Sequence, residues 1–245
     1  MKKIKNISFL ILAIIIISCN DENKFDCLKS TGDIITENRA VSDFNEIDVD
    51  DKINLFISDD TVNKIVVEAG ENLLESIKTS FNDKTLTIRN ENKCNWVRSF
   101  ENEINIYISV KELKKISYNG SGNITSSNTI ESKNFTLDVW NGSGNIDISI
   151  NSELSYINMH TGYVEVKVKG FSKNTYVYNA GNGPSLLVDL ESNQTYIRNK
   201  STNDCYINVN FLLDAEIENI GNIYYKGNPG SINTNITGSG NLIKL

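Results

Sequence analysis

Aspartates are the residues of this chain whose type and spacing could support catalysis. Two carboxylates about 5 to 10 Å apart can hydrolyse a glycosidic bond, one as general acid and the other as nucleophile or base. Asp138 and Asp147 are the pair that we expect to share one face, and Asp189 and Asp204 lie farther along the chain. Acidic residues are also common on solvated strand surfaces. A carbohydrate-active enzyme is therefore an alternative hypothesis for this chain.

Other reactive or metal-binding groups are scarce. The one histidine, His160, excludes a histidine-based triad and a site of several histidines within one chain, and we interpret it as a turn residue. The glycine-rich turn that ends at Asp147 is similar to a calcium-binding nonapeptide, but only Asp147 fills its acidic position. The glycine-rich turns also lack the lysine of a phosphate-binding loop. We therefore expect no catalytic residue, no metal and no cofactor.

The four cysteines predict one lipid site and one disulfide. An export signal, described next, would place them in an oxidising compartment. With Cys19 assigned to the lipid, three remain and one must stay free. Cys27 lies just before the first predicted strand and Cys94 lies in a polar loop, so both are placed to form a covalent link. We predict a disulfide between Cys27 and Cys94, and a buried, reduced Cys205 that packs as a small apolar residue.

The start of the chain predicts an export signal. Three lysines precede an apolar run over residues 7–17, which is too short to span a bilayer and fits a signal peptide. A small residue directly before Cys19 is similar to a bacterial lipobox, although Ile17 is bulky for its position; an ordinary signal peptide is the alternative. We predict a signal over residues 1–18, lipidation of Cys19, and a polar tether over residues 19–33.

Charge argues against one class of partner. The chain carries 24 basic and 31 acidic residues, and its net charge is −7. Because no basic stripe is present, we expect neither nucleic acid nor anionic lipid headgroups as partners. Membrane contact is expected through the lipid anchor alone. The acidic balance is typical of a soluble exported surface.

The main organising feature is a short phrase that recurs about every twenty residues from Asn119 to Leu245. The sequence NGSGNI occupies residues 119–124 and 141–146, TGSGNL occupies residues 237–242, and degraded copies lie between them. The intervals are 22, 18, 20, 20, 20 and 18 residues when these positions are taken as equivalent: Asn119, Asn141, Met159, Asn179, Asn199, Asn219 and Thr237. Near-regular periods of this length predict a repeat architecture.

Each repeat alternates apolar and polar residues on both sides of its turn. Leu137 and Val139 alternate with polar neighbours before one turn, and Ile146 and Ile148 do so after it. This period of two predicts strands with one apolar face. Two short strands cannot bury that face alone, whereas stacked coils bury one continuous core. We therefore predict an all-β, right-handed β-solenoid; an antiparallel sandwich is the alternative, although its hairpins need no repeated sequence.

Glycines, serines and asparagines fill the predicted turns because they tolerate tight bends. We expect stacked asparagines to hydrogen-bond along the turns. We also expect Ile124, Ile146 and Val164 to meet in one inner column. The predicted turn glycines are Gly120, Gly122, Gly142, Gly144, Gly162, Gly181, Gly221, Gly238 and Gly240.

Residues 34–118 are rich in strand-like sequence but less regular. Apolar residues at helical spacing predict a helix of about two turns within residues 71–80. No linker separates this part from the repeats, so we expect one domain over residues 34–245, in which the irregular part caps the regular repeats of residues 119–245. The predicted strands cover residues 47–49, 53–57, 64–68, 85–89 and 104–110.

The recurring Gly-Ser-Gly-Asn-Ile, together with the lipobox-like start, resembles the head GIN domain family, which carries the name of auto-transporter adhesins of Gram-negative bacteria. The likeness covers roughly Ile34 to Leu245, and the third to sixth copies depart from the pattern. The resemblance implies a β-helix-like fold and a surface or periplasmic role. It implies no enzymatic activity.

Aromatic residues also recur through the repeats. If several share one outer face, they would form a platform for sugar rings; packing in the core or at its edge is the other interpretation. We predict a non-catalytic lipoprotein of the cell envelope, anchored at the outer membrane, that presents its solenoid to a glycan or a protein. A structural module that docks a partner strand is a third hypothesis. The aromatic residues are Trp140, Tyr156, Tyr176, Tyr178, Tyr196, Tyr206, Tyr224 and Tyr225.

Overall fold

The computed structural model describes residues 30–92 and 103–245. Strands account for 67% of the structure, which forms a β-solenoid of about 6 turns. The predicted all-β solenoid is therefore confirmed. The export signal, Cys19, Cys27 and Cys94 lie outside the described residues, so the lipid anchor and the disulfide stay predictions.

Five long strands form the regular part of the stack, and each runs around most of one coil. They are β9 (Ile124–Val139), β10 (Asn145–Met159), β11 (Glu165–Asn179), β12 (Ser185–Asn199) and β13 (Cys205–Ile217). Each pairs in parallel with the next, which rules out a sandwich of hairpins because hairpin strands pair antiparallel. Three short strands make the last coil: β14 (Ile223–Lys226), β15 (Ser231–Ile236) and β16 (Leu242–Lys244).

Eight shorter strands precede the five long strands in the chain. They are β1 (Ile34–Asn38), β2 (Glu46–Asp51), β3 (Asn54–Asp59), β4 (Lys64–Gly70), β5 (Ile77–Asn82), β6 (Thr85–Asn90), β7 (Asn105–Val110) and β8 (Lys115–Gly120). β8 and β3 both pair in parallel with β9, so the N-terminal part continues directly into the regular coils. β1, β4 and β7 pair antiparallel, and so do β5 and β6. All sixteen strands belong to one sheet.

The predicted helix within residues 71–80 is shorter than expected. Leu74–Ser76 form a single 3-10 turn, and the chain then enters β5. Ile77 is buried and pairs with Asn90 of β6. The backbone groups from Ile77 onward therefore bond to the sheet, which leaves no room for a second helical turn.

The register of the parallel strands creates the predicted inner column of aliphatic side chains. Ile124 pairs with Ile146, and Ile146 pairs with Val166. All three side chains are fully or almost fully buried. The column therefore exists, but Val166 occupies the place that the sequence assigned to Val164, which is buried two residues earlier.

The predicted equivalence between repeats is correct in part. Met159 pairs with Asn179, and Asn179 pairs with Asn199, as predicted. The assignments of Asn141 and Asn219 are wrong, because Val139 pairs with Met159 and Ile217 pairs with Asn199. Thr161 stands opposite Asn141 instead, and its hydroxyl donates a hydrogen bond to Asn141 Oδ1 at 2.9 Å.

The composition of the interior changes along the stack. Buried residues of the N-terminal part are mostly aliphatic, as at Leu55, whereas the regular coils also bury serine and threonine. Ser155 Oγ donates a hydrogen bond to Ser172 Oγ at 2.8 Å, and Thr175 Oγ1 bonds Ser192 Oγ at 2.8 Å. Stacking at a fixed register thus lets one coil satisfy the buried hydroxyls of the next.

Cys205 lies inside the regular coils and is free, as predicted. Its sulfur accepts a hydrogen bond from Asn179 Nδ2 at 3.0 Å. Burial raises the pKa of the Cys205 thiol to about 12. The thiol therefore stays protonated at neutral pH and serves as a small packing group.

Close backbone contacts between coils explain most of the turn glycines. A Cβ atom on Gly122 would lie 1.9 Å from the carbonyl oxygen of Ile53, and one on Gly144 would lie 1.8 Å from the carbonyl oxygen of Gly122. Gly181 differs, since its nearest contact would be 3.5 Å away, and the close approach falls at Gly183, which was not predicted. The other predicted glycines whose Cβ would meet an atom within 3 Å are Gly120, Gly142, Gly162, Gly221, Gly238 and Gly240.

Asparagines connect successive turns, as predicted. The backbone N–H of Asn123 donates to Asn54 Oδ1 at 3.0 Å, and the backbone N–H of Asn145 donates to Asn123 Oδ1 at 3.2 Å. The same bond recurs near the C-terminal end, from the N–H of Asn241 to Asn222 Oδ1 at 2.9 Å. Each side chain thereby satisfies a backbone donor that the turn would otherwise leave open.

Candidate ligand-binding face

One side of the regular coils carries the largest group of aromatic side chains among the described residues. It is formed by the second halves of β9 to β13, where buried residues such as Leu137 and Ile157 alternate with outward ones. The strands are in register, so the outward side chains form columns, and we call the three columns nearest the end of each strand the aromatic face. The columns are Thr136, Tyr156, Tyr176, Tyr196 and Asp214; then Asp138, Asn158, Tyr178, Arg198 and Glu216; then Trp140, His160, Ala180, Lys200 and Glu218.

Three tyrosines of the first column stack on one another. The ring centroids of Tyr156 and Tyr176 are 5.1 Å apart with an interplanar angle of 22°, and those of Tyr176 and Tyr196 are 4.7 Å apart at 8°. These spacings follow the distance between paired strands, about 4.8 Å. The tyrosine stack therefore presents a row of ring edges and hydroxyl groups along the solenoid.

A second aromatic group occupies the neighbouring columns. The rings of Trp140 and His160 stack with centroids 3.7 Å apart at 9°, and His160 meets Tyr178 at 5.6 Å with a tilt of 47°. Trp140 is 47% exposed. His160 is thus part of the aromatic face as well as the start of a turn, a role that its position one repeat after Trp140 would have indicated.

Asp138 is held beside these rings by several donors. Lys115 Nζ lies 2.8 Å from its carboxylate, Asn158 Nδ2 donates to Oδ1 at 2.8 Å, and His160 Nε2 lies 3.6 Å from Oδ1. Burial alone would raise the pKa of Asp138, but the hydrogen bonds from Lys115 and Asn158 outweigh it and lower the pKa. Asp138 is therefore an ionised, fully engaged carboxylate and not a proton donor at neutral pH.

A groove of about 290 Å³ runs beside the tyrosine stack. One wall of the groove consists of Tyr156, Tyr176 and Tyr196. The other wall consists of Asn158, Tyr178 and Arg198. Asp214 and Glu216 lie at its C-terminal end. An extended ligand that lies along the solenoid axis would contact all three tyrosines in this groove.

Some charged side chains at that end of the groove form ion pairs, and one does not. Arg198 forms ion pairs with Glu218 and, at 3.2 Å, with Glu216. Lys200 Nζ lies 3.0 Å from Glu218, and the hydrogen bonds from Arg198 and Lys200 lower the pKa of Glu218. The carboxylate of Asp214, in contrast, has no hydrogen bond or ion pair with any residue in the described ranges, although Asp214 lines the groove.

The aspartates that sequence patterns suggested as a catalytic pair do not lie together. Asp138 belongs to the aromatic face, whereas Asp147 pairs with Thr125 and Lys167 in the first halves of the strands. Asp147 forms its own ion pair, with Lys169 at 2.7 Å. The expected shared face is therefore wrong, because a turn separates the two columns.

The remaining candidates form no reactive group either. Asp204 Oδ1 accepts a hydrogen bond from the backbone N–H of Asn222 at 2.8 Å, and Asp189 is exposed. Within the described ranges, no group of three or more His, Cys, Asp or Glu side chains could hold a metal ion. In the same ranges, no helix is long and apolar enough to cross a bilayer.

Other aromatic residues lie away from this face. Tyr206 and Tyr224 stack with centroids 4.9 Å apart at 9° on the first halves of their strands, and Tyr225 packs against the core. A stacked pair that was not predicted, Phe56 and Tyr107, has centroids 4.9 Å apart. These residues come from different repeats of the irregular part, so no sequence period connects them.

A second groove, of about 450 Å³, lies at the corner between the two halves of the strands. Its lining mixes Phe171 with charged residues of both signs, such as Glu131 and Lys133. Lys133 lies 3.9 Å from Glu153, and Asn151 donates to Glu131 at 2.7 Å. It contains no aromatic stack, so the aromatic face is the stronger candidate site.

The sequence Asp60-Thr61-Val62 matches a short pattern that some Gram-negative bacteria O-glycosylate in exported proteins, and it is exposed in the turn between β3 and β4. Asp60 Oδ1 accepts a hydrogen bond from the Thr61 backbone N–H at 2.6 Å and one from its hydroxyl at 3.3 Å. Modification of Thr61 stays a prediction.

The chain forms a parallel β-solenoid with an outward aromatic face, and its candidate catalytic carboxylates do not lie together. These features are typical of solenoid proteins that bind through a rigid side surface. The chain belongs to the family described as "Putative auto-transporter adhesin, head GIN domain", whose family model matches residues 43–229. That family supports a non-catalytic binding role and a location at the bacterial cell envelope or surface. None of the curated proteins matches the chain significantly.

Solved structures share the fold. A putative adhesin from Bacteroides fragilis aligns with a TM-score of 0.82 at 22% identity, over 89% of this chain and 100% of that one. A putative lipid binding protein from Parabacteroides distasonis aligns with a TM-score of 0.70 at 22% identity, over 89% and 100%. A putative adhesin from the same species gives 0.65 at 20%, over 88% and 99%. At these identities the likeness shows the fold alone.

Proposed function

We propose that this protein is a non-catalytic adhesin of the cell envelope whose aromatic face binds a glycan. The observation that carries the proposal is the stack of Tyr156, Tyr176 and Tyr196 beside the groove. Tyrosine combines a large rigid ring with a hydroxyl group, so it contributes contact area at a small cost in conformational entropy. A row of tyrosines at the strand spacing suits a ligand that also repeats along its length.

A glycan fits the aromatic face better than a protein does. The three columns of the aromatic face contain no valine, leucine, isoleucine or methionine, and the half-buried Leu154 and Leu212 lie in the column beside them. The centre of a protein interface, in contrast, is usually apolar and free of charge. The edges of aromatic rings are positively polarised and attract oxygen atoms. Together with the tyrosine hydroxyls and Asn158, they offer a ligand rich in hydroxyl groups many polar contacts.

Attachment to the membrane belongs to the same proposal. We infer that Cys19 is the first residue after cleavage of the export signal and carries acyl chains, which contribute about 0.8 kcal/mol of membrane attachment per buried methylene. Residues 19–33 then act as a tether, with the domain of residues 34–245 held at the outer membrane. A Cys19→Ala variant would remain in the soluble fraction and incorporate no labelled fatty acid.

Affinity electrophoresis through gels that contain β-glucan, mannan or galactan tests the proposed function. At least one polysaccharide should retard the protein. Tyr176→Ala removes the middle of the tyrosine stack and should weaken the affinity measured from that retardation about fivefold, because aromatic contacts contribute on the order of 1 kcal/mol each. Tyr224→Ala is the matched control, since it removes a stacked tyrosine from a different face.

Retardation by none of the three polysaccharides, or equal loss in both variants, would contradict the proposal. The same gels test the alternative of a carbohydrate-active enzyme through the appearance of shortened chains. The separation of Asp138 from Asp147 and their ion pairs with lysines argue against that alternative. Turnover that disappears in Asp138→Asn but not in Tyr176→Ala would favour it.

A further inference from the structure

The tyrosine stack uses most of its ring faces on itself. Tyr176 has Tyr156 on one side and Tyr196 on the other, so neither of its faces is free for a ligand. Sugar rings stack on the face of an aromatic ring and not on its edge. Such stacking is therefore possible only at the two ends of the column, where the next residues are Thr136 and Asp214.

The two ends are not equivalent. The groove reaches the end at Tyr196, where Asp214, Glu216 and Arg198 line it. The hydroxyl of Tyr196 donates to Gln194 Oε1 at 3.2 Å, which holds its ring in position. Thr136, at the other end, is not among the residues that line the groove. Tyr196 is thus a positioned, half-buried ring beside the groove, and on its C-terminal side it meets Asp214 instead of another aromatic ring.

The charges around this ring face favour donors and repel anions. Arg198 is already paired with two glutamates, and Lys200 is paired with Glu218. The free group is the carboxylate of Asp214, which has no partner among the described residues. An ionised carboxylate accepts hydrogen bonds and cannot donate them, and like charges in contact destabilise a complex by several kcal/mol.

We propose that the C-terminal end of the groove is a subsite for one sugar residue without an acidic group, which stacks on Tyr196 and donates its hydroxyl groups to Asp214. The inference rests on the proposed function and adds the chemical class of the ligand. Neutral glycans are accepted, and glycans with carboxylates at this residue are rejected by Asp214 and Glu216. Ligand beyond the subsite runs along the edges of the tyrosine stack.

The test compares each polysaccharide, β-glucan, mannan and galactan, with the same polymer after oxidation of its primary hydroxyls to carboxylates. The proteins are the wild type, Tyr196→Ala, Asp214→Asn and the control Asp189→Asn, which removes an equal charge from an exposed position outside the groove. Thermal unfolding of each variant checks that the fold is retained. Dissociation constants are measured at one fixed, low ionic strength, since salt screens charge effects.

For the wild type we expect the neutral form to bind at least tenfold more tightly than the oxidised form. Asp214→Asn should weaken binding of the neutral form about tenfold, because a hydrogen bond to a charged group is lost, and should reduce the preference for the neutral form. Tyr196→Ala should weaken binding of the neutral form, and Asp189→Asn should change nothing.

Three results would overturn the inference, and the third is distinguishable from the other two. If neutral and oxidised polymers bind equally well, and Tyr196→Ala still weakens binding, the preference for a neutral sugar is contradicted but the proposed function is not. The same holds if Asp214→Asn and Asp189→Asn have equal effects. Binding of no polymer in either form would remove the proposed function itself, and the subsite with it.

Discussion

The N-terminal strands and the regular coils build the same solenoid by different means. In the N-terminal part, Leu55 pairs with Ile106 of β7 and Ile124 of β9, so partners are far apart in the sequence and follow no period. In the regular coils, a residue such as Ile157 pairs with Leu137 and Val177, which lie twenty residues before and after it. The first part is nonetheless joined to the second in one sheet.

The difference in pairing goes with a difference in the interior. Strands β2 to β8 bury almost only apolar side chains, whereas the regular coils bury serine, threonine and asparagine. A repeated register places equivalent polar atoms next to each other, so that Asn179 can donate to Asn199 Oδ1 at 3.2 Å. Without such a repeat, a buried polar group has no partner of fixed position and costs stability. Regular stacking therefore permits a polar core.

The largest expected effect tests the junction between the two parts. Gly122 lies at the start of the first long coil, and a Cβ atom there would lie 1.9 Å from the carbonyl oxygen of Ile53 in the N-terminal part. Because a backbone atom cannot give way as a side chain can, we expect Gly122→Ala to lower the free energy of unfolding by about 3 kcal/mol or more. Urea unfolding followed by circular dichroism measures it.

Gly230→Ala is the matched control for this prediction. A Cβ atom on Gly230 would come no closer than 3.9 Å to the carbonyl oxygen of Phe211, so the change should be within about 0.5 kcal/mol. If Gly122→Ala unfolds at the same urea concentration as the wild type, the two parts are not in close contact at this turn.

The second prediction tests whether water is excluded from the polar interior of the regular coils. Burial raises the pKa of Cys205 from its ordinary 9.0 to about 12. Below about pH 9 the thiol is protonated in both the folded and the unfolded chain, so its contribution to stability is fully present. Above it, the unfolded chain releases the proton while the folded chain keeps it, and stability falls by up to about 1.4 kcal/mol per pH unit.

A Cys205→Ala variant isolates this effect, because the other three cysteines and all tyrosines are present in both proteins. Urea unfolding between about pH 8 and pH 11 should show a steeper fall in stability for the wild type than for the variant. Parallel pH profiles would mean that the thiol ionises in the folded protein, and that water reaches the interior of the regular coils.

The contrast also shows how far sequence reasoning reaches. Repeated turns such as residues 119–124 and 141–146 made the solenoid predictable, since coils of constant length bring equivalent residues together. Five of the eight strands of the N-terminal part were predicted, whereas β1, β5 and β8 were not. The partners of these strands were not predicted either: Ile47 pairs with both Leu86 and Ile116, at separations that follow no sequence pattern. Pairing there depends on the whole core and not on a local period.

The aromatic face could be predicted only in part, because the sequence period gives its columns but not the contacts within them. Tyr156, Tyr176 and Tyr196 are twenty residues apart, so their column could be predicted from the spacing. That their rings would stack on one another, and so leave ring faces without an aromatic neighbour only at the ends, depends on side-chain orientation. The free carboxylate of Asp214 was equally hidden, because it is defined by the pairing of Arg198 with two other acidic residues.

The smallest expected effect tests whether hydrogen bonds between buried polar side chains, and not their burial alone, stabilise the regular coils. Ser152 and Ser172 are paired positions of neighbouring coils, and both are buried. Ser172 Oγ donates to the carbonyl oxygen of Asn174 at 2.9 Å and accepts from Ser155, whereas Ser152 Oγ has no partner among the described residues. We expect Ser172→Ala to lower the free energy of unfolding by about 1 to 2 kcal/mol, since it leaves bonded groups open.

Ser152→Ala should be neutral or raise the free energy of unfolding by up to about 1 kcal/mol, because it removes a buried hydroxyl that has no hydrogen bond. Each serine thus serves as the control for the other, with the same side-chain change at equivalent sites. Urea unfolding of the two variants side by side measures the difference. Equal losses would mean that burial of the side chain alone sets the stability, and that hydrogen bonds between coils are not what allows the regular part to bury polar residues.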